Sequence, residues 1–542
     1  MASDVTVDHF LKAANEIALH GDNDTLPFDI DNRFIADCKE DLAVIAFQLF
    51  ESLDNGKTTE MLGGISIFNE RLLTPSGSSG FRITTKIHPL WNIYLNGLAL
   101  SIAERLEPLR SESAHSYRYS YDQDQFFKPE HSWLAYKEAT LREPLLDEEN
   151  SVVVQTDISG FYEHIYHHRL QNLLEDLYSP HSTVPLQIDR ILNQMSSGRS
   201  FGLPVGGQCA RVLAEVLMNA IDQLLTNAGV IWHRYVDDFT LIARSQSDAY
   251  QALSKLARFL SDYGLSLNRT KTTMLSSKHY KDFVVAQITS DSDDSSKLKE
   301  IDLYFDPYSD NPYEEYEQLK EIVSEIDVIS LLKAETHKSQ PDSYLITQIS
   351  RTLEFQTPSA AASLCKTLLQ PDNLNAFRAS WSKIMKSICK VRANEGFNDI
   401  HKYIDAYLDE VIRQCAHLLL PEANMLHFMR AIRFSRTPPR ARLISETYNS
   451  CDKVTIKRGC VDCWRSWSDR PSFLIATTVY DNCSPELQRM LWLASFKFRD
   501  EGSHFRNRVK RRIPSAWAIG HEDEHSTLFS EVFKVWATKC GY

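Results

Sequence analysis

The pattern of apolar and polar positions predicts a mixture of strands and helices in the first half of this chain. Two short apolar runs, 230–232 and 239–243, flank a tight polar turn, and this spacing is typical of a β-hairpin. Residues 152–154 predict another buried strand. Helical spacing after a Gly/Pro-rich loop, continuing through Leu225, and again over 249–263 predicts two helices.

The second half of the chain shows only helical patterns. Apolar residues recur there at intervals of three and four in two stripes, Phe377, Trp381, Ile384, Met385 and Ile388, and then Ile400, Tyr403, Ile404, Tyr407, Leu408, Val411, Ile412, Cys415 and Leu418. Such stripes indicate the buried faces of helices. The sequence has no fixed-period repeat, so the region predicts a stack of antiparallel helices or an irregular α solenoid.

The segment between the two halves is polar and acid-rich over 287–299, which predicts a surface loop or linker. A turn is expected at 303–308, followed by a single helix over 313–328.

Three carboxylates stand at the ends of the predicted strands. Asp237 and Asp238 lie on the hairpin turn, and Asp157 follows the strand at 152–154. Taken alone, the pair could be a solvated turn and Asp157 a helix N-cap. Together, they could supply the oxygen ligands for two Mg²⁺ ions about 4 Å apart, as transfer of a nucleotide to a primer hydroxyl requires.

Four segments resemble the palm motifs of the reverse transcriptase family in order, spacing and residue type: 157–162, 202–206, 235–238 and 264–272. The resemblance implies an α+β fold, with fingers and an antiparallel palm sheet backed by helices, followed by a large all-α, helical-repeat-like C-terminal domain. We therefore expect fingers and palm over 1–285, an acidic linker with a connecting helix over 286–330, and the helical domain over 331–542.

The same resemblance implies the roles of the catalytic residues. Asp157 and Asp237 would be the principal ligands of two Mg²⁺ ions, for which Mn²⁺ can substitute, with Asp238 beside them and the backbone carbonyl of Ile158 as a further ligand. Lys271 has the family position for a charge near the departing pyrophosphate, as a general acid or a phosphate clamp. The alternative for Lys271 is a solvated turn lysine.

The resemblance also implies a deoxynucleotide pocket. Tyr162 would lie under the incoming sugar, where its ring blocks a 2′-hydroxyl, and Phe161 would pack inward beneath it. Pro204, Gly206 and Tyr235 are the other expected contacts of the nucleotide.

The triphosphate needs cations from the fingers. Arg82, Lys86 and Arg118 are the candidates, and spacing does not choose among them. Arg118, which is flanked by aromatic residues, is the first choice; a surface strand is the alternative explanation of its surroundings.

Charge limits what kind of nucleic-acid contact to expect. The net charge of −13 and the sequence pI near 5.8 argue against a broad, non-specific nucleic-acid binder. Local basic clusters at 430–442 and near the C-terminal end could line an RNA or product channel, although solvated helical faces explain them equally well. The residues of the second cluster are Arg506, Arg508, Lys510, Arg511 and Arg512.

The chain is expected to be a cytoplasmic protein of at least two domains. Its first residues lack a basic and apolar leader, and no apolar run approaches the roughly 20 residues of a membrane span. Its ten cysteines follow no disulfide framework. Cys460 and Cys463 have zinc-ligand spacing but no second close pair, so we expect no structural zinc.

The large helical region without an endonuclease or maturase segment resembles the bacterial defence reverse transcriptases of the abortive-infection group. That resemblance implies antiphage defence, a homo-oligomer and DNA synthesis from deoxynucleoside triphosphates. In some relatives synthesis is untemplated and primed by a protein hydroxyl, and in others a non-coding RNA is the template. The alternatives are a retron, intron-type or housekeeping reverse transcriptase, or a non-catalytic nucleic-acid-binding scaffold.

Overall fold

A computed structural model describes the protein over residues 4–54, 58–77, 79–122, 125–128, 133–288, 294–301, 303, 312–513 and 524–540. None of the helices in these ranges combines the length and the apolar character that crossing a membrane requires.

The N-terminal part consists of four helices and a two-stranded ribbon. Its elements are α1 (Val7–His20), α2 (Asp29–Asp37), α3 (Lys39–Asp54), α4 (Thr58–Gly64), β1 (Asn69–Ser76) and β2 (Gly80–Ile87). The two strands pair in antiparallel register, with Asn69 opposite Ile87. This part of the chain lies where the sequence predicts the fingers, and we refer to it by that name.

The next eleven elements form a four-stranded sheet and the helices around it. They are α5 (Pro89–Leu106), α6 (Trp133–Leu141), β3 (Val152–Thr156), α7 (His167–Leu177), α8 (Val184–Met195), α9 (Gln208–Asn227), β4 (Ile231–Tyr235), β5 (Asp238–Ala243), α10 (Gln246–Asp262), β6 (Thr273–Ser276) and α11 (Ser277–Ile288). The strand order is β4-β5-β3-β6, and every pair is antiparallel. The predicted hairpin, the strand at 152–154 and both predicted helices are confirmed.

The central strands are apolar because both of their faces are covered. Val153 and Ile242 lie opposite each other and pack against Tyr280 and Val284 of α11. Their neighbours, including Val154, turn to the other face and join the main core. Because successive side chains point to opposite faces of a strand, each central strand contributes residues to two hydrophobic layers.

Helices make up most of the described residues from 294 onwards. They are α12 (Asp294–Glu300), α13 (Pro312–Ser324), α14 (Val328–Thr336), α15 (Ser343–Arg351), α16 (Pro358–Leu369), α17 (Pro371–Ala376), α18 (Trp381–Ala393), α19 (Asn398–Gln414), α20 (Glu422–Ile432), α21 (Pro438–Ser450), α22 (Val454–Trp467), α23 (Arg470–Thr478), α24 (Pro485–Ala494), α25 (Arg499–Val509) and α26 (Glu524–Lys539). α18 packs on α20, α20 on α22 and α22 on α24, as in a helical stack. The predicted α+β fold with a large helical C-terminal region is confirmed.

Two details of the connecting region differ from the prediction. The single helix expected over 313–328 is wrong, because α13 ends at Ser324 and α14 begins at Val328. The Asp327 side chain accepts the backbone N–H of Ser330 and so caps the new helix. α11 also continues to Ile288, past the expected linker start. The predicted surface loop over 287–299 is wrong at both ends, because α11 reaches Ile288 and α12 begins at Asp294. The rest of the loop, 289–293, and the turn from 304 to 308 lie outside the described residues.

The helical region packs directly against the fingers. The Phe34 ring contacts Phe529, Phe533 and Trp536 of α26. The Glu70 carboxylate accepts the backbone N–H of Val454, 2.7 Å away, at the start of α22, where the helix dipole favours an anion. The main hydrophobic core is consequently continuous from α1 to α26, and the domain boundaries drawn from the sequence stay a prediction.

Candidate active site

The acidic turn between β4 and β5 has an unusual backbone. Val236 has a φ of 59°, in the left-handed region, where a β-branched residue carries a penalty of about 1–3 kcal/mol. Its N–H donates to Ser116 Oγ at 2.8 Å, and its carbonyl accepts from the Arg234 guanidinium at 2.8 Å. These two bonds hold the turn that presents Asp237.

A buried ion network lies beneath the turn. Arg234 is fully buried and donates to both carboxylate oxygens of Glu215, at 3.0 and 2.8 Å, and of Asp222, at 3.0 and 2.7 Å. Glu215 also accepts from Arg110 at 2.7 Å and from Ser116 Oγ at 3.0 Å. Each charge therefore has a matched partner, and the end of β4 is fixed in place.

Sequence reasoning did not find this network. The available signal was a pair of acids, Glu215 and Asp222, seven residues apart and hence on one face of the otherwise apolar helix α9.

The three predicted acids meet at the end of the sheet. Thr156, which precedes Asp157, pairs with Phe239, and Tyr235 pairs with Asp238, so the register brings the end of β3 beside the turn. Burial, and next the charges of Asp157 and Asp238, raise the pKa of Asp237 to about 7, with a hydrogen bond to the Asp157 carboxyl adding to the effect.

The pKa of Asp238 is also raised, first by burial and then by the charge of Asp157. Clustered, mutually repelling carboxylates offer the hard oxygen donors that Mg²⁺ prefers, and a cation would relieve their repulsion. The donor chemistry therefore fits the implied metal. Within the described ranges, however, no three Asp, Glu, His or Cys side chains are arranged closely enough to hold an ion.

Lys271 forms an ion pair with Asp157, where the implied metal ion would bind. Its Nζ lies 2.5 Å from Asp157 Oδ2, and its side chain is 64% exposed, so the contact can be exchanged for another. The loop that carries Lys271 is hydrogen-bonded to the residues that follow β3. The Asn268 N–H donates to the Asp157 carbonyl at 2.7 Å, and Leu267 pairs with Ile158. The Ile158 side chain is buried.

The predicted sugar contact lies beside the acids. Tyr162 is half-buried, and its ring centroid is 5.0 Å from that of the buried Phe161. Burial, and then the Tyr117 hydroxyl, which hydrogen-bonds to it, keep the pKa of Tyr162 well above its usual value. Tyr235 is half-buried and stacks on Tyr136, with 6.0 Å between ring centroids.

The Gly/Pro-rich loop is clamped to the N-terminal part. The Asp24 N–H donates to the Gly206 carbonyl at 3.0 Å, and the Thr85 N–H donates to the Val205 carbonyl at 2.9 Å. Gly206 has a φ of +122°, and a Cβ there would lie 2.2 Å from the Asn23 side chain. Only glycine allows this approach. Pro204 lines a cavity of about 230 Å³ between β2 and the loop.

Two of the cations predicted for the triphosphate are engaged elsewhere, so those predictions are wrong. Lys86 is 1% exposed and forms ion pairs with Asp22 and, at 2.9 Å, with Asp31. Arg118 donates to Glu107 at 2.6 Å and to the Ser111 carbonyl at 2.7 Å. Lys86 joins β2 to α2 through Asp31, whereas Arg118 holds together the segment that follows α5.

Arg82, the third candidate, is half-buried, and in the described part of the chain its Nε has no hydrogen-bond partner. Sequence reasoning missed Arg211, which lies 5.1 Å from the Tyr117 ring and interacts electrostatically with Tyr162. Arg211 donates to Asp24 at 2.9 Å. This contact joins residues nearly two hundred positions apart, which local patterns do not reveal.

The predicted C-terminal basic cluster is partly engaged within the helical region. Arg506 donates to Ser495 Oγ at 3.0 Å, Arg508 donates to the Thr477 carbonyl at 2.9 Å, and Arg512 pairs with Asp481 at 2.9 Å. The remaining two members, Lys510 and Arg511, are exposed. A role of this cluster in nucleic-acid binding stays a prediction.

Comparison with protein families identifies the sheet region. Residues 89–301 match the family model described as reverse transcriptase (RNA-dependent DNA polymerase). The match spans α5 to α12 and includes all four segments on which the resemblance was based. The chain therefore contains a reverse transcriptase domain and is a nucleotidyltransferase of the RNA-dependent DNA polymerase type.

Solved structures give weaker likenesses. The telomerase from Candida albicans, in complex with a TWJ fragment of telomeric RNA, aligns at 13% identity over 66% of this chain and 70% of its own, with a TM-score of 0.31. The apo telomerase from Candida tropicalis aligns at 11% identity over 70% and 72%, with the same TM-score. These scores are too low to bear on function. No curated protein sequence matches the chain.

Proposed function

We propose that this protein is a DNA polymerase that transfers deoxynucleotides through a centre formed by Asp157, Asp237 and Asp238. The observation that carries the proposal is the meeting of these carboxylates at a strained turn, with the pKa of Asp237 raised to about 7, inside a reverse transcriptase domain. Carboxylates with raised pKa values that lack matching cations are typical of functional sites.

The surrounding residues would orient the substrate. Tyr162, supported by Phe161 and Tyr117, would hold the sugar and exclude a 2′-hydroxyl. Arg211, which interacts electrostatically with Tyr162 and Tyr235, would contact the triphosphate, and Arg82, whose Nε has no hydrogen-bond partner among the described residues, would be a second candidate. Lys271 would leave Asp157 and donate a proton or hydrogen bonds to the departing pyrophosphate.

Mg²⁺, or Mn²⁺ in its place, would be held by Asp157, Asp237, Asp238 and the Ile158 carbonyl, and would supply charge neutralisation and activation of the primer oxygen.

We further propose that synthesis serves bacterial antiphage defence by abortive infection, in the cytoplasm and in a homo-oligomer. The resemblance and the helical region, which extends from α12 to α26, support this assignment over a retron, intron-type or housekeeping enzyme. A non-catalytic scaffold is disfavoured, because structure alone gives no reason to keep repelling acids on a strained turn. An RNA template and untemplated synthesis from a protein hydroxyl both remain open.

A labelling experiment tests the proposal. Purified protein is incubated with Mg²⁺ and each labelled deoxynucleoside triphosphate, and the products are run on a denaturing gel before and after protease. Label that stays with the protein until digestion indicates protein priming, and loss of synthesis after RNase treatment indicates an RNA template. Absence of incorporation under every condition would contradict the proposed activity.

A further inference from the structure

A cleft lies between the N-terminal segment and the helical region, outside the candidate active site. Its lining combines residues 18–32 with residues of α18 and α20, and its volume is about 230 Å³. Lys383 and Lys386 of α18 and Arg430 of α20 project basic groups into this lining.

The two lysines of this cleft lack a directly paired acid among the described residues, although Asp24 acts on Lys383 from a greater distance. Lys383 is half-buried and Lys386 is exposed, and neither forms an ion pair with any residue that the structure describes. Several arginines of the helical region, by contrast, form ion pairs with acidic side chains. Arg440, for example, is buried between Asp405 at 3.0 Å and Asp409 at 2.7 Å.

The acids near the lysines already have other partners. Asp29 pairs with Arg430 at 2.9 Å and with Arg433 at 2.8 Å, and Asp24 pairs with Arg211 at 2.9 Å. The cleft therefore retains excess positive charge in a protein whose net charge is −13.

The charged form of Lys386 in this cleft is destabilised by its surroundings. The cleft walls partly desolvate the Lys386 ammonium group, although the residue as a whole is exposed. This desolvation, and next the positive charges of Lys383, Arg430, Lys390 and Arg351, lower the pKa of Lys386 to about 8. A bound anion would relieve this repulsion.

The cleft also adjoins the candidate active site. His20, Gly21 and Asp24 line both this cleft and a neighbouring cavity of about 400 Å³. The second cavity is lined by Gly206 of the clamped loop and by Arg211, which interacts with Tyr162. The two cavities share a wall, and the lining of the second also includes the acids Glu16 and Asp22, of which Asp22 is paired with Lys86.

We propose that the cleft lined by Lys383 and Lys386 binds the phosphate backbone of a single-stranded nucleic acid that runs between the active site and the helical region. The ligand class follows from the two lysines without ion pairs to described residues and from the wall that the cleft shares with the larger cavity, which together offer more than one phosphate-sized site. The choice of nucleic acid rests on the proposed function.

The test measures binding separately from synthesis. Fluorescence anisotropy of a labelled single-stranded DNA, and of an RNA of the same sequence, is followed across a salt series for the full-length protein. The double variant Lys383→Gln/Lys386→Gln is compared with Lys366→Gln/Lys402→Gln, which removes two exposed lysines of α16 and α19 that do not line the cleft. Lys383→Arg/Lys386→Arg keeps the charge and should restore binding.

We expect the cleft variant to bind at least about tenfold more weakly and to lose about 0.7 from the salt slope for each lysine that contacts a phosphate. Its thermal unfolding should match that of the wild type, because the lysines make no ion pairs with described residues. Equal oligonucleotide affinity for the cleft variant and the control would overturn the proposal. Lysine-dependent binding of inorganic tripolyphosphate, with oligonucleotide binding unchanged, would also overturn it.

Failure of the proposed function gives a different result. If the wild-type protein incorporates no nucleotide, yet binds oligonucleotides through Lys383 and Lys386, the polymerase assignment is lost and the binding cleft stands. If the protein incorporates nucleotides but the lysine substitutions do not change oligonucleotide affinity, the binding cleft is rejected and the polymerase assignment stands.

Discussion

Two groups of acidic side chains in this protein are held in opposite electrostatic states. At the palm turn, burial and mutual repulsion raise the pKa of Asp237 to about 7. In the fingers, Asp31 is more completely removed from water than the half-buried Asp237, yet Arg458 and Lys86, at 2.6 and 2.9 Å, overcome burial and keep its pKa below the usual range. The number of matched cations makes the difference.

The contrast separates acids available for chemistry from acids that join parts of the fold. Asp31 is neutralised by one residue of the fingers and one of α22, so it ties the helical region to the fingers. Lys271 and Lys137 both act electrostatically on Asp238, but among the described residues neither lysine forms an ion pair with Asp237 or Asp238, which leaves these acids free to take up added cations. The same contrast explains why Lys86 does not serve the triphosphate.

The largest expected effect comes from removing the cation that matches two acids beneath the turn. Arg234→Met leaves Glu215 and Asp222 buried with only Arg110 nearby, and we expect a loss of about 3–5 kcal/mol in the free energy of unfolding. Urea unfolding measures it. Arg442→Met, which removes an exposed pair with Glu446, should give no measurable change. A similarly small effect for both variants would show that the network does not support the turn.

Lys86→Met tests the fingers group. We expect a loss of about 3 kcal/mol of stability, because Asp22 loses its cation in a buried site. At a temperature where the variant is folded, its KM for deoxynucleotides should equal that of the wild type. A KM raised about tenfold with stability intact would mean that Lys86 binds the triphosphate after all.

Tyr162→Ala tests the sugar contact beside the unmatched acids. We expect discrimination between deoxynucleotides and ribonucleotides to fall by about 10- to 200-fold, since the ring that blocks the 2′-hydroxyl is gone. Tyr162→Phe keeps the ring and should keep the discrimination, and Tyr250→Ala, on the exposed face of α10, should not affect it. Selectivity is measured as the ratio of kcat/KM values, and an unchanged ratio would place the block elsewhere.

The smallest expected effect is the pH dependence of stability. With its pKa at about 7, Asp237 keeps its proton in the folded state between about pH 4 and 7, where the unfolded chain has released it. The free energy of unfolding therefore falls as pH rises through this window. Asp237→Asn should be more stable than the wild type by about 1–2 kcal/mol at about pH 8, after allowance for solvent screening.

Urea unfolding of the two proteins across this range measures the difference, which should shrink towards about pH 4 as the wild-type carboxyl is protonated in both states. Added Mg²⁺ should stabilise the wild type at about pH 8 more than the variant. Parallel pH profiles for the two proteins would argue that the acids do not repel one another.

The sequence predicts the elements that depend on local patterns. The hairpin around Asp237, the strand before Asp157 and the helix after Gly206 follow from short apolar periods and turn residues, and the structure has all of them. Their contacts with distant residues do not follow. The pairing of Arg211 with Asp24 and of Lys86 with Asp31 joins segments whose spacing carries no periodic signal.

The helix boundary at Asp327 was missed for a local reason. The apolar spacing over 313–328 continues across the break, while an aspartate that caps the following helix looks the same in sequence as any polar helix residue. The assignment of triphosphate cations failed for the opposite reason, because residue type alone does not show whether a distant acid already neutralises a basic side chain.

Nucleotide incorporation by Asp237→Ala tests the central claim most directly. Wild type, Asp237→Ala and the exposed control Asp176→Ala on α7 are compared at equal concentrations of folded protein with Mg²⁺ and labelled deoxynucleotides. The account predicts that incorporation by Asp237→Ala falls below detection, while the control and the folded structure of both variants are unaffected. Incorporation by Asp237→Ala near the wild-type level would contradict the assignment of the acidic turn as the catalytic centre.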